Sequence, residues 1–244
     1  MKKHKICKIL LVILAIFLCV AFYELLGIHV AYKKQPEVSN TTKKETKNGS
    51  WNECSENTER AVIIEKNPEA LLQRVRLIKN AKKEIILSTF AFQSDESGKL
   101  ILGALHDAAD RGVHIRLLVD GMESWIDMEG NPYFYGLSSH ENVEIKLYNK
   151  ANPLKPWKMM GRMHDKYLIA DGKRYILGGR NTYNYFLGDF PGHKNYNRDV
   201  LVVCDEPEKE NSVNQLLEYF EMIWEQEDSG YFHNNKKLAN RKSV

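Results

Sequence analysis

The sequence predicts an α/β fold, a sheet layered with helices, preceded by one helix that crosses a membrane. Three observations carry this expectation. A long apolar run lies within the first 32 residues, strand-like and helix-like patterns alternate from residue 61 to 147, and an Asp171-Gly172 pair separates two short apolar runs. Strands that alternate with amphipathic helices imply parallel pairs covered by helices. Asp-Gly between apolar runs is a strong hairpin signal. The 244 residues allow one domain of ordinary size plus appendages, and the net charge of +3 is too small to argue for nucleic acid.

At the N-terminus, Lys2, Lys3, Lys5 and Lys8 precede the apolar run Ile9–Tyr23, and apolar character resumes after Glu24 up to Tyr32. About 20 mostly apolar residues are enough to span a bilayer. The residues around Ala21 are large, so no small-x-small cleavage site follows the run, and residues 1–32 read as an uncleaved signal anchor. The leading lysines place the N-terminus in the cytoplasm and the remainder outside, with Glu24 tolerable near the outer end. Cys19 follows the bulky Phe17 and Leu18, which does not suit lipid attachment. Residues 33–58, rich in Lys, Asn, Thr, Ser and Glu, read as a flexible linker. Its Asn-x-Ser/Thr sites at Asn40 and Asn48 are chance matches in a polar segment. Cys54 and Cys204 remain on the outer side, where they can stay free thiols or pair.

The domain is expected over 59–227. Ala61–Ile64 reads as a short strand, and Pro68–Lys82 as a helix with Leu71, Leu72, Val75, Ile78 and Ala81 inward and Asn67 as its N-cap. Ile85–Phe90 is a buried strand. Ser97–Ala109 is a helix with Leu100, Ile101, Ala104, Leu105 and Ala108 on one face, stopped by Gly112, and Val113–Val119 is the next strand. Residues 130–139 form an aromatic-rich helix or loop, and Val143–Leu147 a further strand. The hairpin follows, 163–170 against Arg174–Leu177. A glycine- and aromatic-rich loop covers 181–195, and Asp199–Val203 is the last predicted strand. Pro207–Gln226 closes as a helix with Val213, Leu216, Leu217, Phe220, Ile223 and Trp224 facing the core. Residues 228–244 read as a polar tail or a truncated linker.

The chemistry is concentrated in the hairpin. His164 and Lys166 alternate onto one face of the predicted strand, where both reach a single phosphate. Imidazole can attack phosphorus and hold it covalently, splitting one hard displacement into two easier ones. Lys166, the Asn181 amide and the backbone amides of Gly178 and Gly179 supply positive charge and donors for the non-bridging oxygens. The pattern does not suit a metal, because an ammonium group offers no lone pair. No cofactor is implied. Lys155, Lys158 and Arg162 form either a solvated loop or a basic rim. Tyr183, Tyr185, Phe186 and Phe190 form either a lid on the core or a wall for substrate.

The spacing His164-x-Lys166-x4-Asp171 followed by Gly178-Gly179-x-Asn181 resembles the signature of the phospholipase D superfamily. Glu84–Phe90, Ser97–Arg111 and Val113–Asp120 look like the opening of one half of such an enzyme, and Asn197-Arg198-Asp199-Val200 resembles a later strand of the cardiolipin synthase branch. The resemblance implies a mixed sheet flanked by helices. His164, Lys166 and Asp171 are then catalytic-motif residues, Asp171 as a support for the motif's fold, and Gly178, Gly179, Asn181 and Asp199 line the substrate, with Asp199 a candidate to orient the histidine. It implies a phospholipid substrate at a membrane and no nucleic acid. Lipid-active members carry two such motifs that meet in one site, whereas this chain has one. The partner half comes from a second chain in a homodimer, or from a missing C-terminal half, which the polar, helix-prone end favours. The function expected is a single-pass, membrane-anchored phosphodiesterase or phosphatidyltransferase with its catalytic domain outside the cell membrane. A dimeric single-motif endonuclease and a non-catalytic lipid-binding half are the competing expectations.

Overall fold

The computed structural model describes residues 2–33, 40, 43–44, 59–150, 152, 154–206 and 211–233. Most of the linker expected at 33–58, with Asn48 and Cys54, lies outside the described residues, as does the tail from 234. Cys204 is buried, and its pairing with Cys54 falls outside the described residues too. The chain divides into two compact units.

The first unit combines α1 (Lys2–Lys33) with a 3-10 helix, Pro156–Met160. Within α1, His4–Val30 is long and apolar enough to cross a membrane, and its apolar window has no buried residue. Trp157 packs against Gly27, where a Cβ would stand 2.5 Å from the indole. The Tyr23 and Trp157 rings meet edge-on at 5.1 Å.

The second unit is an eight-stranded sheet in the order β1-β7-β6-β5-β2-β3-β4-β8. Its strands are β1 (Glu59–Ile64), β2 (Glu84–Thr89), β3 (His114–Asp120), β4 (Val143–Tyr148), β5 (Lys166–Ala170), β6 (Arg174–Gly178), β7 (Asp199–Cys204) and β8 (Ser229–Tyr231). β2, β3 and β4 run parallel through helical crossovers; every other neighbouring pair is antiparallel. The sheet is therefore mixed, as expected. α2 (Asn67–Asn80), α3 (Glu96–Asp110) and α5 (Pro132–Ser138) cover one face, packing on Leu87, Ile115, Leu117, Ile145, Leu168 and Ile176. α6 (Ser212–Trp224) covers the other with Val213, Phe220 and Trp224 against Ile86, Leu118, Tyr167, Ile169 and Val202. Burial on both faces explains why the central strands read as continuous apolar runs.

Three local expectations are corrected and two alternatives are decided. The strand expected from residue 163 begins at Lys166. Upstream of it, the Met163 N–H is bonded to the Asp120 carboxylate rather than to a neighbouring strand. Asn67 is not the cap of α2, because its buried amide bonds the Asn195 carbonyl and the Arg180 guanidinium; Lys66 holds the cap position. Residues 121–139 hold two helices, α4 (Gly121–Asp127) and α5. Phe186 and Leu187 are core residues on which Tyr183, Tyr185 and Phe190 pack, so that loop is chiefly a lid. The folded part runs past 227, since β8 pairs with β4 and Phe232 is buried.

Candidate active site

The hairpin turn is set by local chemistry. Asp171 (φ 56°) and Gly172 (φ 60°) both take left-handed conformations, which suit a tight hairpin turn and which Asp and Gly tolerate. The Lys173 N–H closes the turn on the Ala170 carbonyl at 3.1 Å. The Asp171 carboxylate accepts the backbone N–H groups of Lys82, Lys83 and Glu84 at 2.7–3.1 Å. It thus pins the turn to the start of β2, at the far end of β5 from Lys166.

Lys166 opens β5 opposite Thr89, the last residue of β2. Its side chain is buried, its ammonium donates to the His164 carbonyl at 2.7 Å and stands 5.2 Å from the Phe90 ring centre. Burial pushes its pKa down to about 8, opposed by the negative charge of Asp165. His164 sits on the exposed approach to the strand, with its ring edge-on to Phe90 at 4.6 Å. Its imidazole is held below the ordinary value, by desolvation first and then by the positive charges of Lys166 and Arg162, against Asp165 and Asp120. A neutral ring keeps the lone pair that attack requires.

Asn181 reaches the same end of the sheet from the other side. The next residue, Thr182, bridges to Phe92, its N–H bonds the Ala91 carbonyl at 3.0 Å, and its hydroxyl bonds that of Thr89 at 3.3 Å. The loop after β6 therefore continues the β2 edge where β5 has ended, and Lys166 and Asn181 flank one short stretch, 89–91. The Asn181 side chain is 6 % exposed and its Oδ1 has no hydrogen-bond partner among the described residues.

The remaining predicted site residues lie against one another where β6 meets β7. A Cβ on Gly178 would stand 2.0 Å from Asp199 Oδ1, and one on Gly179 would stand 2.9 Å from Asn197 Nδ2. Both glycines are thus places of close approach within the fold. Asp199 lies under Gly178 and is fully buried between two arginines, Arg74 at 2.9 Å and Arg180 at 3.2 Å. Its expected part as the orienter of His164 is replaced by that of counter-ion to two buried guanidinium groups. Among the described residues no group of three or more His, Cys, Asp or Glu is arranged to hold a metal.

Sequence reasoning passed over Phe90 and Asp120, and read Arg162 only as loop or rim. Asp120 ends β3 and is 1 % exposed. Its carboxylate accepts from Arg162 Nε at 2.9 Å and from the backbone of Met163, Met122 and Glu123 at 3.1–3.2 Å. The Arg162 guanidinium also meets Asp120 through Nη2 at 2.7 Å, pairs with Glu123 and lies over Phe90 at 4.9 Å. An acidic residue at the carboxyl end of a parallel strand was the available signal.

The family model for the cardiolipin synthase, PLD-like domain, matches residues 74–224. The chain belongs to the PLD-like family. Within it, the chain is 34% identical over 141 residues to an uncharacterised protein of Helicobacter pylori, covering 53% of this chain and 28% of that one. It is 29% identical over 171 residues to cardiolipin synthase C of Escherichia coli, covering 64% and 34%. This PLD-like chain thus spans about a third of the length of these curated relatives. Among solved structures, the phospholipase D family member Nuc from Salmonella typhimurium matches with TM-score 0.51 at 19% identity, covering 72% of this chain and 99% of its own. NucT from Helicobacter pylori matches at 0.54 and 17%, covering 71% and 99%. A phosphatidylserine synthase from Haemophilus influenzae matches at 0.56 and 16%, covering 74% and 41%. At these identities the likeness is one of fold.

Proposed function

We propose that this PLD-like chain supplies one half of a phosphodiesterase or phosphatidyltransferase site acting on phospholipid. The observation that carries the reading is an exposed imidazole, shifted towards its neutral form, beside a buried ammonium at the same end of the sheet as a buried amide. In the first step a His164 ring nitrogen attacks phosphorus and the P–O bond to the leaving alcohol breaks. Lys166 and Asn181 carry the charge that gathers on the non-bridging oxygens. A second motif half, from another copy of the chain or from a continuation of it, gives a proton to the leaving alkoxide. Water or an acceptor alcohol then takes the phosphoryl group from the histidine. The apolar length of His4–Val30 supports a single-pass anchor with the lysines on the cytoplasmic side, which would keep the domain near a lipid surface.

The reading is tested by quenching the full chain in detergent micelles with a short-chain phosphatidyl substrate radiolabelled at phosphorus. The expected result is an acid-labile phosphoenzyme that is absent from His164→Ala. Equal label on wild type and His164→Ala overturns the assignment.

A second reading is a dimeric endonuclease. The fold match extends over 99% of both Nuc and NucT, and a single motif completed by a second copy of the chain is the form this reading takes. Cleavage of DNA in the presence of chelator, falling steeply with salt, is its signature.

A further inference from the structure

We propose that Phe90 is the positioning residue for His164, and that Asp120 fixes this arrangement through Arg162. The proposal rests on His164 being the group that attacks phosphorus. A nucleophilic imidazole on an exposed chain segment needs something to hold its plane and direction. Asp199, the carboxylate expected in that part, is committed to Arg74 and Arg180. Among the described residues no hydrogen bond reaches the ring nitrogens of His164. Its defined contact is the edge-on meeting with Phe90, 4.6 Å between centroids and 65° between planes.

Phe90 is suited to this by its place and by its neighbours. It follows Thr89 at the end of β2, the strand that also registers Lys166. Three side chains from alternate positions of one segment converge on its ring: Arg162 at 4.9 Å, His164 at 4.6 Å and Lys166 at 5.2 Å. Two of these are cations, which the negative face of an aromatic ring attracts; the imidazole meets the ring edge-on, an arrangement aromatic quadrupoles favour. The ring therefore fixes the spacing of His164 from Lys166 independently of the strand ladder, which begins only at Lys166.

What keeps the segment on the ring is Asp120. Its buried carboxylate takes Arg162 with one oxygen and the Met163 N–H with the other, so both residues immediately before His164 are tied to the end of β3. Glu123 holds the same guanidinium from α4. The chain Asp120–Arg162–Phe90–His164 replaces the carboxylate–histidine hydrogen bond by an ion pair, a cation–π contact and a ring edge.

The test uses the full chain in detergent micelles and three variants. Phe90→Leu keeps apolar bulk without the ring, Phe90→Tyr restores the ring, and Arg162→Lys keeps the charge without the forked bond to Asp120. With a phosphodiester substrate, Phe90→Leu and Arg162→Lys are expected to lower kcat by about tenfold or more with little change in KM, and Phe90→Tyr to recover most of it. In parallel, the rate at which phosphoramidate phosphorylates His164 is followed by mass spectrometry. It is expected to fall in Phe90→Leu and return in Phe90→Tyr. Equal phosphoramidate rates in wild type and Phe90→Leu overturn the proposal, as does a loss in Phe90→Leu that Phe90→Tyr does not repair. A phosphoramidate rate that follows the ring while wild type turns over no phosphodiester upholds the positioning and removes the functional reading instead.

Discussion

The Asp171 carboxylate accepts the Lys83 N–H at 2.7 Å, so the third residue of the signature closes the base of β2 rather than facing the other two. Within seven residues of chain one finds both the opening of a candidate site at Lys166 and the clamp that sets the register of its strand. Asp171→Asn is therefore expected to act on stability. Hydrogen bonds to a charged acceptor contribute about 1.5–3 kcal/mol each in context, but this turn is partly open to water, so a loss of roughly 1–3 kcal/mol for the set is expected. Chemical denaturation of the full chain in micelles measures it. A large fall in kcat with unchanged stability would contradict this placement.

Gly178 faces Asp199 with no room for a methyl group, a Cβ falling 2.0 Å from Oδ1 of a buried carboxylate whose other oxygen, Oδ2, meets Arg74 and Arg180. Gly178→Ala should cost about 1–3 kcal/mol or more, in the range of overpacked cores. Gly179→Ala should be milder, because its neighbour is the partly exposed Asn197 amide. Melting curves of the two variants order them, and the reverse order would refute the argument.

Removing Asp199 leaves two buried guanidinium groups without their shared counter-ion. Burial already pushes the Arg74 pKa down, and Asp199 is what opposes it. Breaking a buried pair by deleting one partner costs about 3–5 kcal/mol, so Asp199→Ala should be among the most destabilising single changes in the domain. Replacement of Asp199, Arg74 and Arg180 together by apolar residues should recover a good part of that loss. Unfolding free energies of the single and triple variants decide it.

Activity should follow a bell in pH. Lys166 must be protonated and its pKa is lowered to about 8, so kcat/KM is expected to fall as pH rises through about 8. His164 must be neutral and its pKa lies below the ordinary imidazole value, so the acid limb should lie below that value. Lys166→Arg should move the alkaline limb to higher pH and leave the acid limb in place. The effect on stability has a definite sign. A basic group whose pKa is depressed on folding carries a penalty that is full below its folded pKa and is relieved between about 8 and the ordinary 10.5. An alkaline limb that stays put in Lys166→Arg would assign it to another group.

Much of this protein is decided by short-range pattern. The apolar length of α1, most of the inward stripes of α2, α3 and α6 (Leu72 and Leu100, expected inward, are exposed), and the Asp171-Gly172 turn follow from period and from local backbone chemistry. So does the choice of an imidazole, an ammonium group and an amide for the candidate site, since these types in this spacing suit one chemistry. The three-residue β8 has no pattern to read, being too short for an alternation; its pairing with β4 creates it.

The parts played by the carboxylates belong to the tertiary structure alone. Asp120, Asp171 and Asp199 have the same functional group, and each stands at the end of a strand or in the turn beyond it. One braces the segment before His164, one closes a turn, and one neutralises buried arginines. Each part depends on at least one partner 42 to 125 residues away in sequence, which the strand order β7-β6-β5-β2-β3 brings together. Local composition specifies which groups are present; only the folded chain specifies which charges and amides they meet.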